Sequence, residues 1–158
     1  MVGIDFSDGA LRALEYALEH ARAVGASVAC VHAYEDAPGT PAFDDPAPAL
    51  GRQLEEFLAL HAPAEGTVRI DAVVRRGPPW EKLANVATEL GADVIVVGAD
   101  GQRGAARLGL LGTVASRLVT TSPRSVVVVP SDPPRPGPGP GPGPGNRGDR
   151  GDGERPRR

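Results

Sequence analysis

Between Val94 and Leu118 the sequence reads VIVVGADGQRGAARLGLLGTVASRL, with glycines at 98, 101, 104, 109 and 112 between an apolar run and an amphipathic one. Glycine lets a bulky ligand approach the backbone closely, and a helix starting near Gly112 and Thr113 leaves its first N–H groups free to meet an anion. Phosphate suits such a loop. Arg103 and Arg107 stand inside it as a source of positive charge, and the Thr113 hydroxyl is placed either to donate to a phosphate or to cap the helix. Asp100 works the other way, because a carboxylate beside phosphates repels them unless a divalent metal or Arg103 intervenes. In a chain with 21 glycines a glycine-rich loop is a weak signal by itself, and its weight depends on the elements around it.

The other chemically able residues read as ordinary. His32 lies in an apolar run beside Cys30 and is expected to be a core histidine with a satisfied imidazole. His20 and His61 fall on separate helices, neither with a second His or Cys at metal-ligand spacing. Cys30 is the only cysteine, which excludes an intramolecular disulfide and a cysteine-based metal site. Asp44 and Asp45 sit in the Pro- and Asp-rich stretch DAPGTPAFDDPAP and read as solvated loop charges, and Trp80 reads as a core anchor. No nucleophile is accompanied by a base and an orienting partner, and GxxxxGK[ST] is absent, so efficient hydrolysis is not indicated and the chain reads as a binder rather than an enzyme.

Periodicity alternates along the chain. MVGID is a short apolar run, and SDGALRALEYALEHARAVG places Leu11, Leu14, Ala17, Leu18 and Ala21 on one helical face, with Ser7 or Asp8 to cap it and Gly25 to end it. ASVACVHAYE is a second strand, and a second helix carries Leu50, Leu54, Phe57, Leu58 and His61. TVRIDAVVRRG alternates through Val68, Ile70, Ala72 and Val74 as a strand does. PPWEKLANVATELG returns to helix with Trp80, Leu83, Ala84 and Ala87 inward and Pro78 or Pro79 in its first turn. The strand DVIVV, the glycine loop, the helix TVASRLVTTS and the strand SVVVVP complete a βαβαβαβαβ order.

Strands separated by helices need crossovers, which implies a five-stranded parallel sheet with helices on both faces, a doubly wound α/β sandwich. Its ligand crevice lies beyond the carboxyl ends of the strands where the winding reverses. A 3-2-1-4-5 order, taken by analogy with nucleotide-binding folds, puts that crevice between strands one and four, at Asp5 and Gly98. The last strand then lies at the sheet edge, where an uninterrupted Val126 to Val129 ladder calls for a partner strand.

Composition changes at Pro130, after which Pro alternates with Gly and then Gly with charge, leaving nothing apolar to offset the entropy of ordering. Residues 131–158 are expected to be a disordered tail behind one domain over residues 1–130. The tail holds six Arg and four acidic residues, so the domain keeps 11 of the 17 basic and 16 of the 20 acidic groups, a net charge of −5. An acidic body argues against a nucleic-acid interface. No apolar run approaches a membrane span and MVGIDFSDG lacks the regions of a secretion signal, so a cytoplasmic protein is expected.

Taken together, DFSDGALRALEYA, GPPWEKLANVATELGADVIVVGADG and GLLGTVASRLVTTSPRSVVVVP resemble the universal stress protein family over essentially residues 1 to 130. Nucleotide-binding members carry G-x-x-G, nine residues, then Gly with Ser or Thr; Gly98, Gly101 and Gly112-Thr113 match, with ten residues in between. The resemblance implies a Rossmann-like, adenine nucleotide alpha hydrolase-like fold that binds ATP, with or without Mg²⁺. By position it places Asp5, flanked by Ile4 and Phe6, on the adenine or ribose side, and the Ala33 backbone at the adenine edge. It places Gly98, Gly101, Gly112 and Thr113 at ribose and phosphates, with Val114 following, and implies a homodimer through the last strand, Ser125 to Val129. The function so implied is a dimeric nucleotide-binding protein of stress response or signalling. A nucleotide-free dimeric interaction module is the alternative, and a hydrolase-like enzyme has only fold analogy behind it.

Overall fold

The computed structural model describes residues 1–36, 45–62, 68–101 and 111–130. Among the described residues the elements are β1 (Val2–Gly3), α1 (Asp8–Val24), β2 (Val28–Tyr34), α2 (Ala47–His61), β3 (Ile70–Arg76), α3 (Pro79–Glu89), β4 (Val94–Gly98), α4 (Thr113–Thr121) and β5 (Ser125–Val129). All strand pairs are parallel and the sheet order is β3-β2-β1-β4-β5, as the 3-2-1-4-5 analogy requires. The short β1 is the central strand, with Val2 opposite Cys30 on one side and Val96 on the other. Ladder bonds from Ile4 N to Val31 O and from Val96 N to Met1 O, both 2.9 Å, extend its pairing beyond the strand itself.

Two cores fill the sandwich. On one face α1 and α2 cover Val2, Ile4, Val28, Cys30 and Val96; on the other α3 and α4 cover Val31, Ile95 and Val97. Side chains alternate across the sheet, which is why neighbours Cys30 and Val31 fall in different cores. Leu14, Leu54, Ile95 and Leu118 are fully buried, each contributing about 2 kcal/mol by leaving water.

The caps follow the sequence closely. Ser7 is the N-cap of α1, its side chain accepting from Ala10 N, and Gly25 closes the helix in the left-handed region at φ 70°. Pro79 opens α3. The inward faces differ in detail. The buried stripe of α1 runs through Gly9, Ala10, Ala13, Leu14, Ala17, Leu18 and Ala21, leaving Leu11 only half-buried, because the first turn presses small residues against β4. Only Leu54 of α2 is fully buried and His61 is exposed, since α2 packs mainly on the edge strand β3 rather than on the centre of the sheet. Ala72 is exposed for the same reason: β3 is an edge strand. Residues 131–158, where a tail is expected, lie outside the described residues, as does Asp44.

Candidate functional site

β1 leads into α1 on one face of the sheet and β4 leads towards α4 on the other, so the winding reverses between two adjacent parallel strands. Beyond their carboxyl ends lies a cleft of about 410 Å³. Ile4, Asp5, Ala33, Gly98, Gly101, Gly112, Thr113 and Val114 all line it, which brings together eight of the nine residues read from the sequence.

Phe6 is the ninth and stands outside the cleft, its ring 4.7 Å from His32 and 5.6 Å from Phe57. It is the one non-glycine residue with positive φ among the described residues, at 63°. Such a conformation costs about 1–3 kcal/mol and persists only where surrounding contacts hold it. Here the aromatic contacts hold the Phe6 ring in the α1–α2 core, and the turn carries Asp5 to the cleft. Asp5 Oδ1 accepts from Ser7 N at 3.1 Å and from Ser7 Oγ at 2.5 Å, so the residue that caps α1 also fixes the carboxylate. His32 Nδ1 donates to Ile4 O at 2.8 Å, which secures the same turn from below and satisfies the buried imidazole.

Each glycine answers to a separate contact. A Cβ on Gly101 would lie 2.6 Å from Asp5 Oδ2, and one on Gly98 would lie 2.7 Å from the backbone carbon of Gly9 in α1. Gly112 N donates to Ala99 O at 2.7 Å, tying the end of the glycine loop to its beginning. The ten-residue spacing is therefore closed at its base; the residues that carry the extra position, with Arg103 and Arg107, lie outside the described residues.

Gly112, not Thr113, is the N-cap of α4, and no side chain among the described residues caps that helix. Thr113 is the first helical residue, and the first intrahelical bond runs from Ser116 N to Gly112 O at 2.9 Å. The N–H groups of Thr113, Val114 and Ala115 are thus the ones that an α-helix leaves without partners inside itself, and all three residues line the cleft. Together with the partial positive charge of the helix end they suit an anion. The remaining wall is apolar, built by Val31, Pro79, Leu83 and Val97, and suits a flat ring system. Nothing in the sequence marks Pro79 and Leu83 as site residues beyond their inward position on α3. Asp100 also lines the cleft, and its Oδ1, closed off from solvent, has no hydrogen-bond partner among the described residues.

Among the described residues no group of three or more His, Cys, Asp or Glu is arranged to hold a metal ion, and no helix is long and apolar enough to cross a membrane. Cys30, in β2, is buried in the α1–α2 core, where desolvation pushes its thiol up to about 12.

A profile of the Universal stress protein family matches residues 1–130. The chain is 36% identical over 135 residues to "Universal stress protein in QAH/OAS sulfhydrylase 3'region" from Thermus aquaticus, covering 82% of this chain and 96% of that relative. Among solved structures, a universal stress protein in complex with cAMP is 30% identical with a TM-score of 0.59, covering 83% of this chain and 94% of its own. The universal stress protein from Archaeoglobus fulgidus in complex with dAMP is 25% identical with a TM-score of 0.59, over 81% of this chain and 94% of its own. With the sheet order, the switch-point cleft and the glycines at the base of the loop in place over the same residues, the chain belongs to the universal stress protein family.

Proposed function

We propose that the cleft binds an adenine nucleotide, ATP with or without Mg²⁺, and that the chain acts in the cytoplasm as a dimeric binding protein of stress response or signalling. The observation that carries this reading is the bond from Gly112 N to Ala99 O, which holds Gly98, Gly101 and Gly112 around one cleft despite the longer loop. The fit is also chemical: the volume lies within the roughly 300–1,000 Å³ of small-molecule sites, with apolar walls on one side and helix N–H groups without intrahelical partners on the other. Two family members with adenine nucleotides bound, cAMP and dAMP, support the ligand class.

In this reading Ile4 and Asp5 meet the adenine and ribose side, and the Ala33 backbone pairs with the adenine edge. Gly98, Gly101, Gly112, Thr113 and Val114 hold ribose and phosphates. Phe6 serves indirectly, by holding the turn that carries Asp5. Mg²⁺, when present, neutralises phosphate charge. Binding stabilises the folded chain by mass action, which gives ligand occupancy a route to signalling without turnover. The dimer forms through Ser125 to Val129, because β5 is an edge strand of the sheet and carries an uninterrupted valine run.

The test is mass spectrometry of ligand released from gently purified protein, with calorimetric titration of ATP in the presence and absence of Mg²⁺. Gly112→Val puts a branched side chain where a lone Cβ already lies 3.2 Å from Ala99 O, so the loop base must open. A loss of at least about tenfold in affinity, roughly 1.4 kcal/mol, is expected. No released ligand and no heat at millimolar nucleotide would overturn the reading in favour of a nucleotide-free interaction module.

A further inference from the structure

Among the described residues the charge of the cleft is one-sided. Of its described lining residues only Asp5 and Asp100 are ionisable, and both are acidic. Asp5 is engaged by Ser7. Asp100 is different: its Oδ1 is closed off from solvent and has no hydrogen-bond partner among the described residues. Its backbone is also next to the helix end, since a Cβ on Gly112, the N-cap of α4, would lie 3.6 Å from Asp100 Cα. The positive partner that α4 offers is worth about half an elementary charge, whereas an ionised carboxylate carries a whole one. Among the described residues, the anion end of the cleft is therefore not strongly positive.

We infer that Asp100 sets the charge of the nucleotide this cleft accepts, favouring a nucleoside monophosphate over free ATP and making the triphosphate depend on Mg²⁺. The inference rests on the adenine-nucleotide reading above and deepens it. Free ATP brings roughly twice the negative charge of AMP to the same helix end, so the carboxylate penalises it more, and Mg²⁺ removes much of the difference. Asp100 here is a specificity residue, acting through its field.

The experiment compares AMP and ATP affinities by calorimetry, each with and without Mg²⁺, for the full chain and for Asp100→Asn. In the wild type AMP is expected to bind more tightly than free ATP by on the order of tenfold, with Mg²⁺ narrowing the gap. In Asp100→Asn the gap closes by a similar factor and the Mg²⁺ effect shrinks. Asp100→Ser, which removes the charge without adding an amide, must move in the same direction, which guards against a variant that fails to fold. Asp93→Asn, an exposed carboxylate at the opposite end of β4, must leave the ratio unchanged. Nucleotide binding with an ATP-to-AMP ratio equal in wild type and Asp100→Asn overturns this inference and leaves the binding function standing. No binding of either nucleotide by any of these proteins overturns both.

Discussion

Gly98 is required by the packing of α1 on β4 before any ligand arrives, and this can be tested without a ligand. A Cβ at position 98 would stand 2.7 Å from the Gly9 carbonyl carbon, 2.8 Å from its oxygen and 3.0 Å from its Cα. All three are backbone atoms, so no rotamer change relieves the contact. Restoring an ordinary 3.4 Å separation from the nearest atom needs a shift of 3.4 − 2.7 = 0.7 Å between α1 and β4. Such a shift loosens the buried Ala10, Ala13 and Leu14 below that turn. Overpacking of this kind costs about 1–3 kcal/mol, and the lack of a flexible neighbour places Gly98→Ala at the upper end, about 3 kcal/mol. For a domain of this size that lowers Tm by roughly 10 °C. The assay is thermal and urea denaturation by circular dichroism on nucleotide-free protein. Gly51→Ala is the internal comparison: a Cβ there meets nothing within 4 Å inside α2, so alanine's helix propensity should raise stability by about 0.5–1 kcal/mol. A Gly98→Ala variant that melts within about 3 °C of wild type would refute the packing argument.

Two further predictions concern the sheet edge and the core. Ala99 N donates to Val129 O, so, with amides alternating along a strand, Val126 and Val128 point their N–H and C=O groups away from β4. Val128→Pro should therefore abolish an edge-paired dimer while sparing the β4 ladder, read as a fall from dimer to monomer mass by light scattering; an unchanged dimer would place the interface elsewhere. Burial raises the Cys30 thiol from 9.0 to about 12, so the unfolded chain releases this proton first as pH rises. Its contribution is fully present below pH 9 and declines as pH rises towards 12, and Cys30→Ser should flatten that decline in urea midpoints; an identical pH profile would sink the assignment.

The sequence made the order of elements legible because burial writes itself as period: apolar runs for strands covered on both faces, and a 3.6-residue stripe for helices covered on one. Once strand order is granted, Asp5 and Gly98 must meet, and they do meet at one cleft. What period does not encode is contact between elements. Nothing in the letters FS after Asp5 announces that Phe6 takes a left-handed turn and packs against His32, because that conformation is held by rings from β2 and α2. The inward face of α1 was legible only to within a residue, since Leu11 and Ala10 compete for the same stripe and the close approach of Gly9 to Gly98 decides for the smaller one.

The glycine loop shows why the same letters support two arguments. Gly98 is demanded by helix packing, Gly101 by the carboxylate of Asp5, and Gly112 by the approach of Ala99 O, three unrelated contacts that a spacing rule reads as one motif. An added residue between Gly101 and Gly112 leaves all three contacts intact, because each is made at the base of the loop rather than across its span. Counting nine residues is therefore a proxy for the physical requirement, which is that Gly112 N can reach Ala99 O. By that criterion the base of the loop is what brings the start of α4 and Asp5 to the same cleft.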